Sequence, residues 1–153
     1  MTDQVAVFTI GHSTHPLDEF ERMLSANGIR HLIDVRTVPG SRHNPQFGEQ
    51  ALSETMPKVG IEYTRLTSLG GLRHTPAGTP TINGAWRNAS FRNYADYMQT
   101  PGFAAGIDEL VAQAAVKRVA IMCAEAVPWR CHRSLIGDAL LARGIPVLDI
   151  MSA

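Results

Sequence analysis

Val119-Ala-Ile-Met-Cys-Ala-Glu-Ala-Val-Pro-Trp-Arg-Cys-His-Arg-Ser-Leu-Ile-Gly-Asp-Ala-Leu-Leu141 is the stretch whose reading decides the fold. Its first four residues, Val119 to Met122, are apolar and bounded, as a buried strand requires. Its last eight carry leucines and isoleucine at helical spacing. Strand, irregular loop, helix is the unit that places functional groups at the carboxyl edge of a parallel sheet. A loop that only had to turn the chain would use Gly, Asn, Asp or Ser. This one holds two thiols, a carboxylate, an imidazole and two guanidinium groups.

Outward from this stretch the same unit repeats. Val5 to Ile10 is a short apolar run ended by Gly11, hence a strand. Thr14 then reads as an N-cap, with Pro16 in the first turn and Asp18 and Glu19 suited to the positive helix end. Leu17, Phe20 and Leu24 recur at helical spacing and Gly28 supplies the stop. His31 to Arg36 is a second strand that ends on charge. Thr37 to Phe47 is a long polar loop, and such loops in compact domains are usually functional or mobile. A short helix is expected around Glu49 to Met56, broken by Gly60. Ile61 to Leu66 alternates as a third strand. Residues 70–88 are rich in Gly, Pro and Thr and read as an irregular excursion, a candidate lid. Ser90 caps a helix carrying Phe91, Tyr94 and Met98, and Pro101 breaks or restarts it. Phe103, Ile107, Leu110, Val111 and Ala114 form the apolar face of the next helix. After the central stretch, the last helix ends at Gly144, and Pro146 to Ile150 is the final strand.

The order β-α-β-α-β-α-α-β-α-β predicts a three-layer α/β domain, Rossmann-like, with a mostly parallel sheet and helices on both faces. One domain over residues 1–153 is the expectation, and that length suffices for a proper core. Net charge is zero, so nucleic acid is possible as a partner but not indicated by charge. Twelve of the fourteen basic residues are Arg, the residue suited to gripping carboxylate or phosphate bidentately. Two cysteines make no disulfide framework. No signal-peptide pattern opens the chain, and no apolar run approaches the roughly 20 residues of a membrane span. A cytoplasmic location, with no membrane partner, is expected.

If the sheet is parallel, groups from separate loops converge at one edge. They are His12 and Ser13, then Asp34, Arg36, Ser41, Arg42 and His43, then Gly70, Gly71 and Arg73, then Cys123, Glu125, Arg130, Cys131, His132 and Arg133. Cys131, His132 and Arg133 fall on the first turn of the last helix, where the dipole and open N–H groups favour negative charge. A thiol there, beside His and Arg, becomes a thiolate nucleophile. The same geometry alternatively binds phosphate or carboxylate with Cys131 as a bystander, or Cys131 simply packs while His132 and Arg133 cap the helix. Glu125 sits among Ala124, Ala126 and Val127, where partial burial suits a carboxyl to acid–base work. Its alternative is an ion pair with Arg130 or Arg36. For Asp34, two residues from Arg36, a structural ion pair is the preferred reading. The Cys and His spacing is poor for tetrahedral zinc, and no P-loop or dinucleotide fingerprint appears, so neither metal nor cofactor is expected.

Thr9-Ile-Gly-His-Ser13, Asp34-Val-Arg36, Ser41-Arg42, Leu69-Gly-Gly71 and Cys123-Ala-Glu125 through Cys131-His-Arg133 closely resemble the bacterial family called domain of unknown function 488. The resemblance runs over essentially the whole chain, in order. It implies a small α/β domain and supplies no activity. It falls on His12, Ser13, Asp34, Arg36, Ser41, Arg42, Glu125, Cys131, His132 and Arg133. A looser likeness is to rhodaneses and cysteine phosphatases, in which a strand ends in Cys and an Arg-Ser pair opens the next helix. Here Cys123 and Arg133-Ser134 match that order, but the loop between them is longer, lacks glycine and contains Pro128 and Trp129.

The expected function is an enzyme acting on a small anionic, phosphorylated or nucleotide-like ligand. Arg36, Arg42 and Arg133 would hold the anion, with His12, Ser13 and Ser41 beside it. Glu125 would serve as acid–base residue, Cys131 as nucleophile, and His132 beside it. The alternatives are a non-catalytic module binding a nucleotide or nucleic-acid end, for which Trp86 and Trp129 would stack, and rhodanese- or phosphatase-like cysteine chemistry.

Overall fold

The structure, a computed structural model, describes residues 5–36, 45–69, 95–123 and 133–151. Its elements follow in the order β1 (Val7–Gly11), α1 (Leu17–Ala26), β2 (His31–Asp34), α2 (Glu49–Thr55), β3 (Glu62–Arg65), α3 (Pro101–Val116), β4 (Val119–Cys123), α4 (Arg133–Ala142) and β5 (Val147–Ile150). The strands form one five-stranded sheet in the order β3-β2-β4-β1-β5, and every pairing is parallel.

Period-two alternation sorts the strand residues onto two covered faces. Val7, Ile33, Val35, Val119 and Ile121 lie under Phe103, Ile107 and Leu110 of α3 and Leu135, Ile136 and Leu140 of α4. Ile10, Leu32, Ala120 and Met122 lie under Phe20, Met23 and Leu24 of α1 and Leu52 of α2. The result is a three-layer α/β sandwich. The crossovers leaving β1 and β2 run toward β3 over one face. Those entering and leaving β4 run the other way over the opposite face. All four share one handedness, as the rule for parallel strands demands.

Local chemistry sets the boundaries. Thr100 caps α3, its hydroxyl accepting the Phe103 N–H at 3.3 Å, with Pro101 as the first helical residue. Pro101 therefore restarts the chain as a helix. The start of α1 differs from expectation. Pro16 occupies the N-cap position with no side-chain cap bond, and Thr14 instead belongs to a turn closed by His15 N–H to the His12 carbonyl at 3.1 Å. β2 ends at Asp34, two residues early, because the Asp34 carboxylate accepts the Arg36 N–H at 3.0 Å and bends the chain there. Of the helix expected from Ser90, Ala95 to Tyr97 are described and helical. The excursion at 70–88 lies outside the described residues. No helix among the described residues is long and apolar enough to cross a membrane.

Candidate functional site

The connections leaving β2 and β4 depart to opposite faces of the sheet, and these two strands are neighbours. In open α/β sheets such divergence marks the carboxyl-edge position at which ligands usually bind. β1 flanks β4 on its other side. In register, Gly11 lies beside Cys123 and Asp34 beside Met122. His12 N–H then donates to the Cys123 carbonyl at 3.0 Å, and Val35 N–H to the Met122 carbonyl at 3.1 Å. The chain thus holds His12 and Arg36 on either side of the carboxyl end of β4.

These two side chains meet. Arg36 Nη1 lies 3.3 Å from His12 Nε2. Asp34 anchors the guanidinium, with Arg36 Nε donating to Oδ1 at 2.9 Å and Nη2 to Oδ2 at 2.7 Å. Nη2 also donates to the Phe47 carbonyl at 2.6 Å. Tyr63 from β3 donates its hydroxyl to Asp34 Oδ2 at 2.5 Å. The His12 ring stacks on Phe47 at 4.5 Å between centroids, and Phe47 in turn meets Phe20 edge-on at 4.9 Å. Asp34 is 0% exposed and Arg36 only 7%. This is the structural ion pair expected for Asp34, within a larger network.

The electrostatics follow from burial. Burial of Arg36 opposes its charge, but the hydrogen bonds and the negative charge of Asp34 outweigh that and raise its pKa, so it is a permanent donor. Burial, reinforced by the hydrogen bond to Asp34, pushes the Tyr63 phenol up, so it too stays protonated and donates. Burial lowers the His12 pKa, and the nearby Arg36 charge lowers it further against the Ser13 carbonyl, which raises it. The tautomer follows from the partners. His12 Nδ1 lies 2.8 Å from the Ser13 carbonyl and must donate, so Nε2 carries the lone pair that Arg36 meets. Of the five guanidinium N–H groups of Arg36, four are taken by described partners and one on Nη1 remains. Arg36 is therefore held by Asp34 and Phe47 with its Nη1 against His12.

Arg133 reaches the same region from the other face. It opens α4, is 1% exposed, and donates from Nη1 to Thr9 Oγ1 at 2.9 Å. The Thr9 hydroxyl in turn donates a hydrogen bond to the Asp149 carboxylate of β5. No contact among the described residues joins Arg133 to Arg36. Ser13 follows His12 at the edge, and its φ of 46° is left-handed. Cys123 is buried at the end of β4. Ser41, Arg42, His43, Gly70, Gly71, Arg73, Trp86, Glu125, Trp129, Arg130, Cys131 and His132 lie outside the described residues. Among the described residues no three His, Cys, Asp or Glu gather as a metal site. Sequence reasoning did not single out Tyr63, Phe47 and Thr9 for this site. A signal existed only for Tyr63, since a tyrosine on an alternating strand brings a hydroxyl that needs a partner when half-buried.

A family model described as domain of unknown function DUF488 matches residues 16–140. The chain belongs to that family. Searches of curated proteins and of solved structures found no match.

Proposed function

We propose that this protein is an enzyme acting on a small anionic substrate, phosphorylated or nucleotide-like, bound at the carboxyl edge of the sheet. The observation that carries the reading is the buried Asp34–Arg36–His12 network at the switch point between β2, β4 and β1. A fold gains little by burying a cation, its counterion and a neutral imidazole at the carboxyl edge of its sheet, since apolar residues would serve stability as well or better. Groups fixed in this way are instead suited to positioning a reactant. Arg133, buried at the positive start of a ten-residue helix, adds the charge an anion requires. Arg42 would complete the grip. Glu125 and Cys131, in the connection that leaves β4 at this edge, would supply the acid–base group and the nucleophile, with His132 beside them.

The test combines binding with turnover. Inorganic phosphate and nucleoside monophosphates are screened for thermal stabilisation of the purified protein. A ligand at a hundred times its dissociation constant contributes about 2.7 kcal/mol, which in a chain of this size raises Tm by about 5–10 °C. Phosphomonoesters and nucleotides are then assayed for turnover by the wild type, Glu125→Gln and Cys131→Ser. Turnover that either substitution abolishes supports the enzyme, and loss in Cys131→Ser marks cysteine chemistry. Stabilisation without turnover favours the non-catalytic nucleotide-binding module. An absence of stabilisation by every anion overturns the reading.

A further inference from the structure

Four described residues adopt a positive φ. Three are glycines that stop helices or turns: Gly28 at 70°, Gly60 at 79° and Gly144 at 78°. The fourth, at 46°, is Ser13, immediately beyond β1 at the carboxyl edge. Glycine adopts this conformation without steric cost, whereas a β-carbon is strained there. Among the described residues, glycine thus takes the left-handed positions where only the backbone matters, and Ser13 keeps a side chain at the one such position at the carboxyl edge. Such outliers cluster where function holds them.

Among the described residues, nothing offsets that strain through the serine itself. Among the described residues its hydroxyl makes no hydrogen bond, and it is only half-buried. Its backbone is held by the buried network. The His15 N–H closes the turn on the His12 carbonyl at 3.1 Å, and His12 Nδ1 donates to the Ser13 carbonyl at 2.8 Å. Arg36 and Asp34 fix the imidazole in turn. The N–H groups of Ser13 and Thr14 also have no acceptor among the described residues. Successive N–H groups at a left-handed turn form the concavity that recurs at anion sites.

We infer that the His12–His15 turn is part of the anion site, with the Ser13 hydroxyl and the N–H groups of Ser13 and Thr14 receiving an oxygen of the substrate's anionic group. The inference rests on the anionic-substrate reading above and names the element that meets the charge. It gives Arg36 and His12 a positioning role, since both act through the turn.

The experiment compares wild type, Ser13→Gly and Ser13→Ala by thermal unfolding with and without inorganic phosphate. Without phosphate, Ser13→Gly relieves the strain and raises Tm by about 2–4 °C, while Ser13→Ala, which keeps its β-carbon, does not. With phosphate, both variants bind about tenfold more weakly or worse, because a hydrogen bond to a charged group is gone. If all three proteins bind phosphate equally, the Ser13 assignment is overturned while the anionic-substrate reading stands. If Ser13→Gly gains no stability, the strain argument is wrong and the inference falls with it. If the wild type itself binds no phosphate, the anionic reading and this inference fail together.

Discussion

Asp34→Asn is the substitution from which the network has most to lose. The carboxylate accepts four hydrogen bonds, from Arg36 N, Nε and Nη2 and from the Tyr63 hydroxyl. Asparagine preserves the shape but turns one oxygen into an NH2 group. Whichever way the amide is turned, its nitrogen faces two of those donors, so two of the four bonds are lost. The guanidinium, 7% exposed, is then left without its counterion. Breaking one side of a buried ion pair costs about 3–5 kcal/mol. In a domain of this length each kcal/mol lowers Tm by about 2–4 °C, so a fall of about 6–20 °C is expected. Urea unfolding of Asp34→Asn, Arg36→Met and the Asp34→Leu/Arg36→Met double variant gives the free energies. The double variant should be more stable than Arg36→Met alone, because no buried charge is left unpaired. A loss of less than about 1 kcal/mol in Asp34→Asn would refute the reasoning, because that is the range of an exposed pair.

Two further predictions concern the opposite edge of the sheet and the helix packing. His31, at the amino end of β2, is buried with Nε2 2.9 Å from Thr64 Oγ1, and burial lowers its pKa below 6.5 despite the Glu62 charge. His12 is lowered likewise. Both imidazoles favour the neutral form in the folded chain, so their contribution is complete above about pH 6.5 and is lost as pH falls through the folded values. Stability of the wild type should decline between neutral pH and pH 5, and His31→Gln should flatten that decline; equal slopes would contradict the assignment. Gly106→Ala should lower stability, since a β-carbon there would lie 2.6 Å from Ser68 Oγ and 2.9 Å from Leu69 Cδ2. Ser68 can rotate, but Leu69 is fully buried. The overpacking cost of about 1–3 kcal/mol exceeds the gain of about 1 kcal/mol in helix propensity, and a Tm at or above that of the wild type would show that α3 can move away.

The elements and the layer pattern were legible because each apolar run and each glycine stop acts locally. Val119 to Met122 reads as a buried strand whatever lies beside it, and the structure extends it by one residue to Cys123. The strand order was not legible. β4 inserts between β1 and β2, a pairing that depends on contacts about a hundred residues apart and leaves no mark in either run. The site was legible in part for the same reason. Asp34 and Arg36 are two residues apart, so their pairing is a local matter. The His12–Arg36 contact exists only because β4 sits between their strands, and the Tyr63 bond only because β3 lies outside β2. The misplaced N-cap at Thr14 has a related cause: the residue type fits a cap, but the His12–His15 turn had already claimed it. The left-handed Ser13 had no sequence signal, since serine is ordinary in a loop after a strand.

The anion proposed at the carboxyl edge meets the Ser13–Thr14 turn, with Arg36 positioned behind it through His12. Titrating isotope-labelled protein with inorganic phosphate and following backbone amide resonances tests this placement most directly. The account predicts saturable shifts at Ser13, Thr14 and Arg36, with Asn27, Gly60 and Lys117 at the opposite edge unmoved. Shifts centred on Asn27, Gly60 and Lys117, or none at Ser13 and Arg36 at saturating phosphate, would contradict it.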